Sequence, residues 1–169
     1  GGAGNDILKG IEQVNGSFFN DTLIGGTGDN WLWGLDGNDV LVGGDGSDSL
    51  EGGSENDTLT GGAGDDQLNG GWGDDVLTGG KGTDWANFSD SSSVTVNLAK
   101  GIATSAEGKD TLREIENVNG SFDADTLIGD ANANTLYGGR GNDWLTGGQG
   151  DDTLIGYKDV DWASYSDAT

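Results

Sequence analysis

The sequence predicts an all-β fold, a parallel β-solenoid with two nonapeptide units per coil, and three observations predict it. A nine-residue unit repeats along most of the chain, glycine fills 35 of the 169 positions, and a leucine recurs once per unit. Self-similarity at a short fixed period marks an architecture built by stacking, in which each unit contacts only its neighbours.

The unit reads G-G-x-G-x-D-x-L-x, as in Gly61-Gly62-Ala63-Gly64-Asp65-Asp66-Gln67-Leu68-Asn69. Laid out in nines from Gly16, eight units follow without a gap to Asn87, and five more run from Gly120 to Ser164. All thirteen begin with Gly; position six is Asp in eleven and Asn at Asn30 and Asn134; position eight is Leu in eleven and Ala at Ala86 and Ala163. The unit frays at positions two and four, as at Leu35, Glu55, Asp130, Asn132, Tyr157 and Asp159. A disordered Gly/Asp-rich linker would not keep a leucine in this register. A longer period overlies the nine. Gly16-Ser17-Phe18 recurs as Gly120-Ser121-Phe122, and Trp85-Ala86-Asn87-Phe88 recurs as Trp162-Ala163-Ser164-Tyr165. The offsets of these two recurrences differ by three whole nonapeptides, so the design is modular.

Within each unit the glycines permit turns with positive φ, and the last three residues, such as Val40-Leu41-Val42, extend into a short strand. Successive side chains of a strand alternate in direction, so the position-eight leucine faces inward and positions seven and nine face outward. Two units complete one coil, leucines from both sides meet in a thin core, and coils stack at about 4.8 Å.

Such a core is thin for a chain this charged. Thirty acidic against seven basic side chains give a formal charge of −23, and low hydrophobicity with high charge marks a chain that needs a helper to fold. Of the acids, 24 are Asp and six Glu, and short carboxylates suit tight turns and hard cations. The negative field excludes DNA, RNA and anionic membrane surfaces as direct partners. No run of about 20 apolar residues spans a membrane. There is no Cys and no His, which removes disulfides, thiolate metal sites and the usual general base. With no Met and no signal peptide, the chain is expected to be part of a longer protein. Stacking sets the acidic turn of one unit over that of the second unit after it, and a column of carboxylates so spaced repels itself unless a cation lies between. Ca²⁺ suits the place, because it accepts six to eight oxygens from carboxylates and carbonyls in tolerant geometry.

The repeat resembles the RTX, or haemolysin-type, calcium-binding nonapeptide. The resemblance implies a right-handed parallel β-roll in two blocks, 16–87 and 120–164, with bound Ca²⁺. It also implies a ligand rule. One turn gives the carbonyls of positions two and four and the carboxylate of position six; the turn two units on gives carbonyls one and three and its own Asp. On this chain Gly44, Gly46 and Asp48 would then share an ion with Gly61, Ala63 and Asp66, and Gly62, Gly64 and Asp66 another with Gly79, Lys81 and Asp84. By the same rule Gly26, Gly28 and Asn30 face Gly43, Asp45 and Asp48; Gly37 and Asp39 face Gly52 and Asp57; Gly53 and Asp57 face Gly70, Trp72 and Asp75. In the second block Gly139, Gly141 and Asp143 face Gly156, Lys158 and Asp161, while Gly147, Gln149 and Asp152 complete the turn above Asn134. The pairings allow up to nine ions.

Residues 88–119 look like the spacer of such proteins, and 1–15 and 165–169 like the ends of neighbouring spacers. Alternating Val94, Val96 and Leu98 suggest a strand, with Leu112, Ile115 and Val118 packing on the roll; a plain connector fits equally. Trp31, Trp85, Trp144 and Trp162 all hold the outward position seven. They read as an aromatic surface for glycan or protein contact, or as packing against the spacer or a neighbouring domain. Asp residues that recur at one position in unit after unit make a ligand array, not a unique active site with two carboxylates tuned apart, so no catalysis is expected. Family resemblance implies type I secretion from a Gram-negative bacterium and folding on extracellular Ca²⁺, or else a structural or adhesive spacer in an RTX adhesin.

Overall fold

A computed structural model describes residues 11–165; the parts of the expected flanking spacers in 1–10 and 166–169 lie outside the described residues. Strands follow the repeat. The first run carries β1 (Gln13–Asn15), β2 (Thr22–Ile24), β3 (Trp31–Asp36), β4 (Val40–Asp45), β5 (Ser49–Ser54), β6 (Thr58–Ala63), β7 (Gln67–Trp72), β8 (Val76–Lys81) and β9 (Trp85–Asn87). Residues 88–119 add β10 (Thr95–Asn97), a 3-10 turn at Leu98–Lys100, β11 (Ile102–Thr104), β12 (Lys109–Arg113) and β13 (Asn117–Asn119). The second run gives β14 (Thr126–Ile128), β15 (Thr135–Gly139), β16 (Trp144–Thr146), β17 (Thr153–Tyr157) and β18 (Trp162–Ser164).

Alternate strands enter opposite sheets, because each glycine turn carries the chain across the coil. One sheet has the order β1-β3-β5-β7-β9-β13-β15-β17 and the other β18-β16-β14-β10-β11-β12-β8-β6-β4-β2. Within a run of repeats every pairing is parallel at an offset of two units: Leu41 lies beside Leu59 and Leu59 beside Leu77. Position eight is buried on both sides of the coil, at Leu32, Leu41, Leu50, Leu59, Leu68 and Leu77 and again at Leu127, Leu136 and Leu145. The all-β parallel solenoid expected from the repeat is thus the observed fold.

The segment 88–119, for which strand and connector were equal expectations, contributes four strands and sits inside the stack. β13 pairs on one edge with β9 and on the other with β15. In the opposite sheet β12 continues β8 in parallel, β11 returns antiparallel, and β10 hands the sheet to β14. Apolar residues hold the leucine column through this passage, with Leu112 opposite Leu77, Val118 between Ala86 and Leu136, and Val96 beside Leu127. Both runs of repeats therefore share both sheets.

Candidate metal centre

The site begins with a glycine. At position one no glycine has a positive φ, so its need is for space and not for backbone freedom. A Cβ on Gly43 would collide with Oδ2 of Asp48 and lie 2.7 Å from the carbonyl oxygen of Gly61, one coil on. The same pair of oxygens, the unit's own Asp and the next coil's position-one carbonyl, crowds Gly34 and Gly52. Positions two and four differ, as at Gly44 with φ 120°, and here an L residue can take the strain: Leu35, Glu55, Tyr157 and Asp159 sit at φ between 72° and 82°. A left-handed residue costs about 1–2 kcal/mol, whereas no side chain fits at position one. That is why the unit frays at two and four and never at one.

Position six then builds two columns, one on each side of the coil. The N–H of each Asp donates to Oδ1 of the residue one coil on: Asp39 to Asp57, Asp48 to Asp66 and Asp57 to Asp75 at 2.8 Å, and Asp66 to Asp84 at 2.9 Å. These charge-assisted bonds fix each carboxylate. Its other oxygen, Oδ2, turns inward over the glycine. For Asp39, Asp48, Asp57, Asp66, Asp75, Asp84 and Asp143 this oxygen is buried with no hydrogen-bond partner. An unpaired buried charge is expensive. Burial accordingly raises the carboxyl groups of Asp39, Asp48, Asp75 and Asp84, and pushes Asp66 and Asp143 up to about 6 and Asp57 up to about 7, with neighbouring carboxylates adding to the effect.

Four turns are closed differently. In the first two units of each run, position two keeps φ out of the left-handed region and its N–H donates to the inner oxygen of position six. Ser17 serves Asp21, Gly26 serves Asn30, Ser121 serves Asp125 and Asp130 serves Asn134, at 2.6 to 2.8 Å. The neutral amides thus stand where the backbone already satisfies the side chain.

The expected carbonyl donors line the same turns. Those of Asp45, Ala63 and Lys81 each accept an N–H from the coil before, from Gly28, Gly46 and Gly64, and a carbonyl has a second lone pair to offer. Among the described residues no three carboxylates converge as a metal-binding group; the columns supply carboxylates coil by coil and the turns supply carbonyls. An all-oxygen set with orphaned carboxylate oxygens fits a hard cation of the Ca²⁺ type. Asp152 and Asp161, in the outermost coils, are more exposed, though Oδ1 of each accepts from the coil before.

Sequence reasoning missed one member of each column. Asp75 donates to Oδ1 of Asp110 at 3.1 Å, and Asp84 to Oε2 of Glu116 at 2.9 Å. Asp110 is buried and pushed up to about 7, mainly by that burial and then by Asp75 and Asp74. The signal was present as Asp110-Thr111-Leu112, a D-x-L with Gly108 at position four but no leading glycine pair.

Of the outward tryptophans, Trp144 and Trp162 are register neighbours and 49% and 48% exposed, Trp31 is equally open and edge-on to Trp33, and Trp85 is half-buried between Gln67 and Asn117.

No curated protein matches the chain. A family model described as the RTX calcium-binding nonapeptide repeat matches it four times, over residues 15–50, 51–86, 119–154 and 128–162. Those matches cover both runs of units whose turns crowd two oxygens against a glycine, and the chain belongs to the RTX calcium-binding nonapeptide repeat family, with the β-roll fold of that repeat.

Proposed function

We propose that this chain is a calcium-triggered folding segment of a larger secreted protein, without catalytic activity of its own. The observation that carries the reading is the set of seven buried carboxylate oxygens left without a partner among the described residues. Metal-free, these charges oppose the coil; Ca²⁺ when bound supplies the compensating charge. The residues proposed to hold it are Asp48 and Asp66 with the carbonyls of Gly44, Gly46, Gly61 and Ala63, and their equivalents along both columns. The self-closed turns at Asn30 and Asn134 have less need of an ion, so the number bound falls below nine. By family habit the parent protein leaves a Gram-negative cell through a type I channel, unfolded in low cytosolic Ca²⁺, and folds outside.

Circular dichroism tests this. In chelator near neutral pH the chain should be largely unstructured and gain β signal cooperatively with Ca²⁺, since metal-binding free energy here is folding free energy. Mg²⁺ should substitute poorly because it resists dehydration. A fully folded chelated chain at that pH would overturn the proposal.

The register-paired exposure of Trp144 and Trp162 favours a second reading, in which the roll also presents a contact surface to a glycan or another domain. A broad glycan panel that leaves their fluorescence unchanged in the Ca²⁺-loaded chain would assign them to packing against a neighbouring domain.

A further inference from the structure

Asp84 closes the last nonapeptide of the first run, and no repeat lies two units beyond it. It is nevertheless fully buried, and its Oδ2 has no partner. Elsewhere the next coil's position-one glycine brings a carbonyl to that oxygen. Here the spacer does so by another route. After β12 the chain turns at Glu114, a non-glycine residue at φ 51°, and its carbonyl oxygen reaches the point where a Cβ on Gly79 would stand, beside Oδ2 of Asp84. Two steps along the chain then lead from Glu114 to Glu116, where a repeat would use five. The longer Glu116 side chain makes up the distance, and its Oε2 accepts the Asp84 N–H at 2.9 Å as an Asp does in the repeats.

We propose that Asp84, the Glu114 carbonyl and the Glu116 carboxylate hold a further divalent cation of the calcium class, at a place that the nonapeptide register does not supply. All three donors are oxygens, and a glutamate can chelate with both of its own. A left-handed non-glycine residue stores strain of the kind that persists at ligand clamps. Glu114 and Glu116 border a cavity of about 370 Å³ that Gly80, Asp130 and Asn132 also line. The site would join the first run of repeats to the spacer and thereby to the second run.

This inference rests on the calcium reading above, and its test separates the two. Bound Ca²⁺ per chain is counted by equilibrium dialysis at saturating Ca²⁺ for the full chain, for Glu116→Gln, and for Glu51→Gln on the outer face of β5. Gln keeps an acceptor for the Asp84 N–H and removes only the charge. Glu116→Gln should bind one ion fewer than the parent, and Glu51→Gln the same number. Equal counts for parent and Glu116→Gln overturn this site alone, whereas a parent that binds no Ca²⁺ overturns the calcium reading together with it. Should Glu116→Gln fail to fold, long-wavelength diffraction from the Ca²⁺-loaded parent decides. An anomalous peak beside Oδ2 of Asp84 upholds the site; peaks beside Asp48 and Asp57 with none there overturn it.

Discussion

Protons should replace calcium. Asp57 is pushed from 3.8 up to about 7, first by burial and then by Asp75, Asp39 and Glu55 along and beside the column; Asp110 reaches about the same value. A folded-state pKa above the unfolded one means that the coil binds protons the unfolded chain has released. That contribution to stability is fully present below about pH 4 and is lost as pH rises through about 7. The difference of about three pH units is worth ~4 kcal/mol per group at ~1.4 kcal/mol each. Allowing for the water that still screens these turns, roughly 2 kcal/mol per group is a fair figure, so the pair removes about 4 kcal/mol from a domain whose whole stability is typically about 5–15. In chelator, then, the chain should be largely unfolded at about pH 8 and gain β ellipticity on acidification to about pH 5. Asp57→Asn should give part of that gain at every pH. Calorimetry near pH 6.5, repeated in buffers of different ionisation enthalpy, should show proton release on Ca²⁺ binding. Identical chelated spectra at both pH values, with no proton release, would refute the idea that these buried charges hold the metal-free coil open.

Three further outcomes follow from the turn. Asp66→Ala removes one rung and one orphaned oxygen from the middle of the column, so the Ca²⁺ midpoint for folding should rise several-fold and the count of bound ions fall, while Asp90→Ala, exposed beyond the last unit, should be silent. Gly43→Ala forces a Cβ against Asp48 and Gly61 and should cost roughly 1–3 kcal/mol in chemical denaturation of the Ca²⁺-loaded chain, whereas Gly26→Ala, with open space at its Cβ and no positive φ, should stay within about 0.5 kcal/mol. Leu59→Ala, wholly buried between Leu41 and Leu77, should cost about 2–5 kcal/mol by the same measurement.

The solenoid was legible because period and polarity agree: a leucine every nine residues admits one inward face, and thirteen invariant glycines mark thirteen close contacts. The spacer was harder to read. Its strand β12 keeps Asp110 and Leu112 of the unit but lacks the glycine pair, and β13 offers Glu116 and Val118 in their place. Once side-chain length substitutes for turn length, spacing in sequence ceases to report spacing in space. The self-closed turns at Asp21 and Asp125 differ from the orphaned ones at Asp39 and Asp143 in one peptide's orientation, which the nine-residue period does not report. Its outward signs were the serines at position two, Ser17 and Ser121, and the two asparagines, Asn30 and Asn134.

Because alternate strands enter opposite sheets, the molecule keeps count by parity. Eight units span Gly16 to Asn87, so β2 and β9 lie on different sheets, and β16 and β18, one coil apart, share one. Losing or gaining a pair of units would shorten or lengthen the rod and leave everything downstream facing as before. Losing a single unit would carry Trp144 and Trp162 to the opposite broad side, half a turn around the axis, with every local contact of the repeat preserved. A lineage that recombines such modules therefore has two kinds of move, one that sets reach and one that sets direction.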